Sequence, residues 1–159
     1  LNLRIEQATE EDVNLIREFI QALAEYEKLS HHFEATEDRL RNALFGPDPK
    51  AFVLLAYDTD VPVGFAVYFY TFSTFTGLPG LYLEDLFVKP STRGRGVGRA
   101  LLRHLARIAL QQNCWRIEWA VLHWNESAIR FYQKLGAVPM SEWSVYRLHG
   151  EHLTALANS

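Results

Sequence analysis

The order of apolar and polar positions sets out most of the elements. "LRIEQA" (Leu3 to Ala8) alternates apolar and polar residues, the period of a half-buried strand. Thr9 then precedes Glu10, Glu11 and Asp12, a hydroxyl N-cap with acids in the first turn. The helix they open is expected to run to about Lys28, with Val13, Ile16, Ile20, Leu23 and Ala24 on one face. A second helix is expected from Thr36 to Phe45, ended by Gly46-Pro47-Asp48-Pro49. "AFVLLAY" (Ala51 to Tyr57), a turn at Asp58-Thr59-Asp60 and "VPVGFAVYFYTF" (Val61 to Phe72) predict a hairpin. Gly77, Pro79 and Gly80 mark a loop before the strand "LYLEDLFV", Leu81 to Val88.

Beyond a glycine-rich stretch, Val97, Leu101, Leu105 and Ile108 recur at helical spacing, as on a helix laid against a sheet. "CWRIEWAVL" (Cys114 to Leu122) reads as a strand and Asn125 to Leu135 as a short helix closed by Gly136. "SEWSVYRL" (Ser141 to Leu148) reads as a last strand. The order β-α-α-β-β-β-α-β-α-β predicts an α/β sheet with mixed strand directions. Without repeats or a linker, residues 1–159 are expected to form one domain.

Composition narrows the function. With 48% hydrophobic and 22% charged residues this is an ordinary globular chain. A net charge of −3 gives the whole molecule no attraction to nucleic acid, so no such partner is expected. The longest apolar stretch, Val61 to Phe72, holds Pro62 and Gly64 and is too short to span a bilayer. The N-terminus shows no basic segment leading into an apolar run, so no secretory signal and no membrane association are expected. Cys114 is the only cysteine, which rules out an internal disulfide and points to a reducing, cytoplasmic setting. A buried thiol is its expected state. The close histidine pairs, His31-His32 and His149-x-x-His152, lack cysteine or acidic companions, so no metal is expected.

The arginines are local. Arg93-Gly94-Arg95-Gly96-Val97-Gly98 stands between a strand and a helix, where glycines let backbone amides approach an oxyanion and a helix start adds unpaired N–H groups. A pyrophosphate suits that chemistry. The stretch is no P-loop, because Gly98 is followed by Arg99-Ala100, and G-x-G-x-G falls one residue short of a dinucleotide fingerprint.

Arg93-x-x-Gly96-x-Gly98 resembles the [QR]-x-x-G-x-[GA] acetyl-CoA loop of the GCN5-related N-acetyltransferases. "NESAIRFYQKLGA", Asn125 to Ala137, is similar to that family's second signature. "LAEYEKL", "YLEDLFV" and "VYRL" resemble its diamine and thialysine branch, related to spermidine/spermine acetyltransferase. The resemblance covers the whole chain. It implies a mixed, mostly antiparallel sheet, splayed after the Leu81 to Val88 strand, with helices on both faces. It also implies a homodimer and direct acetyl transfer from acetyl-CoA, without a metal, to a small primary amine such as a diamine, polyamine or thialysine. Another amine (an amino acid, an antibiotic or a protein N-terminus) and a non-catalytic acetyl-CoA sensor are the rival readings.

The same resemblance assigns acetyl-CoA to Leu86, Phe87, Val88, Arg93, Gly94, Arg95, Gly96, Val97, Gly98, Arg99, Asn125, Ser127 and Tyr132. Arg99, Arg103 and Arg107 form a basic row, read as a solvated helix face rather than a ribose-phosphate contact. An alkylammonium has a pKa of about 10.4, so a base or water relay helps release the amine. Alternation places Tyr82, Glu84, Leu86 and Val88 on one strand face and Leu83, Asp85 and Phe87 on the other. By resemblance Glu84 is the relay base or an anchor for the amine, and Asp85 is structural. Tyr132 lies on the apolar stripe Ala128, Phe131, Tyr132 and Leu135; the family makes a tyrosine here the acid for the leaving thiolate. Tyr26, Glu27, Glu84 and Glu142 are the acceptor candidates, although a solvated helix end also explains Glu25 to Glu27. Trp143 and Tyr146 belong either to a dimer interface or to the core.

Overall fold

The computed structural model describes all of residues 1–159. They fall into two compact units, Leu1–Ala120 and Val121–Ser159. In the first, five strands lie in the order β1-β2-β3-β4-β5: β1 (Leu3–Gln7), β2 (Phe52–Asp58), β3 (Val61–Ser73), β4 (Leu78–Val88) and β5 (Ile117–Glu118). The first four are antiparallel to their neighbours and β4–β5 is parallel. The expected mixed, mostly antiparallel sheet is therefore present.

One helix covers each face. α1 (Val13–Tyr26) packs Ile16, Phe19 and Leu23 on Val53, Leu55, Phe65, Val67 and Phe87, with the Phe19 and Phe65 rings stacked at 5.2 Å. A short turn at Glu10–Asp12 leads into α1, and the Asp12 carboxylate accepts from the Thr9 N–H at 2.7 Å. α2 (Glu37–Phe45) is capped as expected, the Thr36 hydroxyl accepting from the Arg39 N–H at 3.2 Å. On the opposite face α3 (Val97–Gln111) buries Val97, Leu101 and Leu105, the stripe read from the sequence. At roughly 25 cal/mol per Å² of apolar surface, such burial is the main stabilising term.

Two expectations within the sheet need correction. Pro79 and Gly80 are not in a loop but in β4, opposite Phe72 and Thr71. They fit because Gly80 has no Cβ to meet the Thr71 hydroxyl, 2.6 Å from where one would lie, and because proline's missing N–H is tolerated where it is not needed in the ladder. The strand at Cys114 to Leu122 shrinks to Ile117–Glu118, since a parallel strand lasts only while its neighbour takes up its hydrogen bonds. β5 meets β4 only at Leu81 and Tyr82, so β4 runs on to Val88 without β5 beside it. That is the splay expected of this sheet.

The second unit holds α4 (Glu126–Lys134) and α5 (Gly150–Ala157). Asn125 caps α4, its side-chain oxygen accepting from the Ala128 N–H at 3.4 Å, and Gly136 ends it at φ +87°. Ser141 to Leu148 is not a strand, because its backbone has no ladder partner. Trp143 is 77% exposed and Tyr146 95%, so the core reading of these rings fails.

Candidate active site

The middle of β4 departs from simple alternation. Val67 pairs with Asp85 and Tyr68 with Leu83, leaving Glu84 as an extra residue, a β-bulge. Leu83 and Asp85, expected on one face, are consequently on opposite faces. Asp85 shares the α1 side with Val67 and Phe87, while Leu83 shares the other with Tyr68, whose hydroxyl accepts from the Gln7 side chain at 2.7 Å. Glu84 is exposed at the bulge.

The bulge turns Asp85 toward the C-terminal end of α1. There burial, then the charge of Glu84, then that of Glu27 push its carboxyl up to about 7. Burial alone also raises Glu27, which forms the C-cap of α1 before Lys28 turns the chain at φ +60°. Three carboxylates from two elements thus influence one another. A group so displaced, beside a helix end and a strand end, is a functional candidate. Asp85, read from the sequence as structural, therefore joins Glu84 as a candidate, and the adjacent pair Glu84-Asp85 is the only signal of it in the sequence.

At the C-terminal end of β4 the chain enters a one-turn 3₁₀ segment, Pro90–Thr92, which the buried Thr92 hydroxyl secures on the Lys89 carbonyl at 3.1 Å. Gly94 and Gly96 follow at φ +73° and +87°, a backbone region closed to most side chains. Gly96 is the N-cap of α3, so the first amides of α3 have no intrahelical acceptor. The first turn of α3 contains no acidic residue, and Arg95 and Arg99 flank it in exposed positions. Amides, helix dipole and guanidinium charges all favour an anion here, so these residues fit the coenzyme's pyrophosphate. Arg103 and Arg107, with His104, Leu3, Ile5 and Ala100, line a shallow cavity between α3 and β1 that none of the assigned coenzyme residues touches.

Phe87 is buried and Leu86 and Val88 half-buried along β4. Arg93 reaches back along β4: its Nε donates to the Val88 carbonyl at 2.9 Å and its guanidinium lies 4.3 Å from the Tyr26 ring centroid. The first unit therefore links Tyr26, Val88 and Arg93 by contact, and Glu27, Glu84 and Asp85 by charge. In the second unit, Asn125 accepts from the Ser127 hydroxyl at 3.4 Å, and the Phe131 and Tyr132 ring centroids are 5.5 Å apart on half-buried positions. Glu142 is exposed there.

Comparison with known proteins gives this arrangement a family. Residues 14–137 match the model of the acetyltransferase (GNAT) family. A thialysine N-epsilon-acetyltransferase of Mus musculus is 38% identical, the match covering 97% of this chain and 96% of that protein. An L-ornithine N5-acetyltransferase of Arabidopsis thaliana is 30% identical over 96% of this chain and 87% of its own. Among solved structures, an integron cassette protein from the mobile metagenome of V. cholerae superposes with a TM-score of 0.82 at 32% identity, covering 100% of this chain and 99% of that one. The chain belongs to the GNAT acetyltransferase family. Its reaction is N-acetyl transfer, with acetyl-CoA as the donor that the family uses.

Proposed function

We propose that the acceptor is a small amine carrying a second positive charge, of the diamine, polyamine or thialysine type. The observation that carries this reading is the carboxylate group of Glu27, Glu84 and Asp85, gathered where α1 and the bulged β4 meet. A diammonium substrate complements such a site, whereas a neutral or anionic amine leaves the carboxylates uncompensated. The names of the thialysine and ornithine relatives point the same way.

Acetyl-CoA supplies an acetyl thioester as co-substrate. The amides of Gly94 to Arg99, with Arg95 and Arg99, hold its pyrophosphate, and Leu86 to Val88 lie beside its pantetheine arm. Asn125 and Ser127 contribute polar contacts from α4. Glu84, exposed at the bulge, receives the ammonium proton through water or anchors the amine, and Asp85 and Glu27 hold the distal charge. Tyr132 carries the proton that the departing sulfur requires, its ordinary pKa of about 10 being close to a thiol's. Glu142 adds negative charge to the acceptor side. The two compact units act as one acetyltransferase domain, in a homodimer of the cytoplasm.

A thiol-release assay tests the reading. Purified protein is given acetyl-CoA with matched monoamines, diamines and thialysine at equal concentration. Turnover is expected with the diamines and thialysine foremost. Thiol release confined to monoamines, or to amino acids acetylated at the α-amine, overturns the cationic-acceptor assignment.

A further inference from the structure

We infer that Arg93 is a positioning residue that couples the anion-binding turn to the acceptor end of α1, so that each site senses the other's occupancy. The inference rests on the acetyl-CoA reading of the turn. Arg93 lies next to Gly94, yet its guanidinium reaches back across the end of β4. Its Nε donates to the Val88 carbonyl at 2.9 Å, and its central carbon stands 4.3 Å from the Tyr26 ring centroid and 5.5 Å from that of Phe87. It forms no ion pair with a carboxylate. Its charge is therefore balanced by two ring faces and one carbonyl, a geometry suited to a flat guanidinium and not to an ammonium.

Each contact ties the turn to a different part of the site. The Val88–Lys89 peptide is held from both sides, since Arg93 donates to its carbonyl and its own N–H donates to Val63 at 2.9 Å. That fixes the plane of the last peptide of β4. Tyr26 is the last residue of α1, adjoining Glu27, whose carboxylate acts on Asp85. A displacement of the turn on binding an anion is thus passed through one side chain to the helix end that carries the acceptor group. Thermodynamic reciprocity requires the reverse effect as well.

The test is a double-mutant cycle read in the affinity for coenzyme A, without any amine present. In this scheme the link between Tyr26 and the turn is Arg93. Tyr26→Leu is therefore expected to weaken coenzyme A binding about threefold to tenfold, the scale of one cation–π contact. In an Arg93→Gln background the same substitution is expected to have no effect, and Tyr26→Phe, which keeps a ring, is expected to bind like wild type. A second measurement repeats the titration with 1,4-diaminobutane, or with whichever amine turns over fastest. The amine is expected to tighten coenzyme A binding in wild type and to lose that effect in Arg93→Gln.

Additive effects of Tyr26→Leu and Arg93→Gln, or an amine effect that survives in Arg93→Gln, overturn the coupling. If Arg93→Gln fails to fold, Tyr26→Leu against Tyr26→Phe decides alone, and equal coenzyme A affinity in those two overturns it. A wild-type protein that binds no coenzyme A would defeat the acetyl-CoA assignment itself, an outcome distinct from these.

Discussion

Asp85 ties burial to chemistry through its proton. Folded, it keeps that proton up to about pH 7, while the free side chain loses it near 3.8. Between those values the folded state binds more protons, so this residue's contribution to stability falls as pH rises from about 4 to about 7. We predict that Asp85→Asn removes the decline and stabilises the protein at pH 8 by on the order of 2 kcal/mol. Urea unfolding at pH 5 and pH 8 checks it, and parallel behaviour of variant and wild type would sink the assignment. Tyr132 raises a different question, since it lies on an apolar helix stripe. Tyr132→Phe is predicted to keep the fold but lower kcat on the order of 10²-fold, with a smaller change in acetyl-CoA binding. Unchanged turnover would make it a packing residue.

At the scale of elements, the site depends on where β4 ends and α3 begins. Gly96 stands at φ +87° as the N-cap of α3. Gly96→Asp is predicted to abolish the rise in Tm that acetyl-CoA produces, because it adds strain and a negative charge where an anion binds. A folded Gly96→Asp protein with the wild-type thermal shift would remove the turn from the coenzyme site. Gly64 has another role, since a Cβ there would stand 2.7 Å from the Phe87 carbonyl, deep in the sheet. Gly64→Ala is predicted to pry β3 from β4 near Val88 and cost about 1–3 kcal/mol, the usual scale of overpacking. Denaturant melts would show it; an unshifted midpoint would mean the strands adjust freely. The bulge at Glu84 belongs to this scale too, because one extra residue in β4 decides which carboxylate faces α1.

For the whole molecule, a net charge of −3 is small, so any preference for cations must come from the local carboxylates and not from the overall field. Diamines are predicted to exceed matched monoamines in kcat/KM, with the gap narrowing in Glu27→Gln and at high salt. Equal efficiencies at low salt would exclude a cationic pocket while leaving acetyl transfer intact. Trp143 and Tyr146 are 77% and 95% exposed. If the proposed dimer uses them, sedimentation is expected to give a dimer for the wild type and a monomer for Trp143→Ala, and a monomeric wild type would remove the dimer reading.

Most of the elements were legible in the chain itself. Local signals carried them: alternation in β1, the apolar runs and turn of β2 and β3, the Thr36 and Asn125 caps, the apolar stripe of α3 and the glycines before it. Each depends on neighbours within a few residues, which the sequence records. The glycine-rich turn proposed to bind an anion was legible for the same reason, being one contiguous stretch. What only the tertiary structure decided depends on partners far apart in the chain. The missing strand at Ser141 to Leu148 has the right composition, but a strand exists only where another backbone pairs with it. Leu83 was expected beside Asp85 and Phe87 because the period of two holds only without a bulge, and the bulge arises in the register of β3 against β4. The contact of Arg93 with Tyr26 joins residues that adjoin only once α1 has packed on the sheet. The residue types that do the chemistry are written in the sequence; which of them meet is set by long-range pairing and burial.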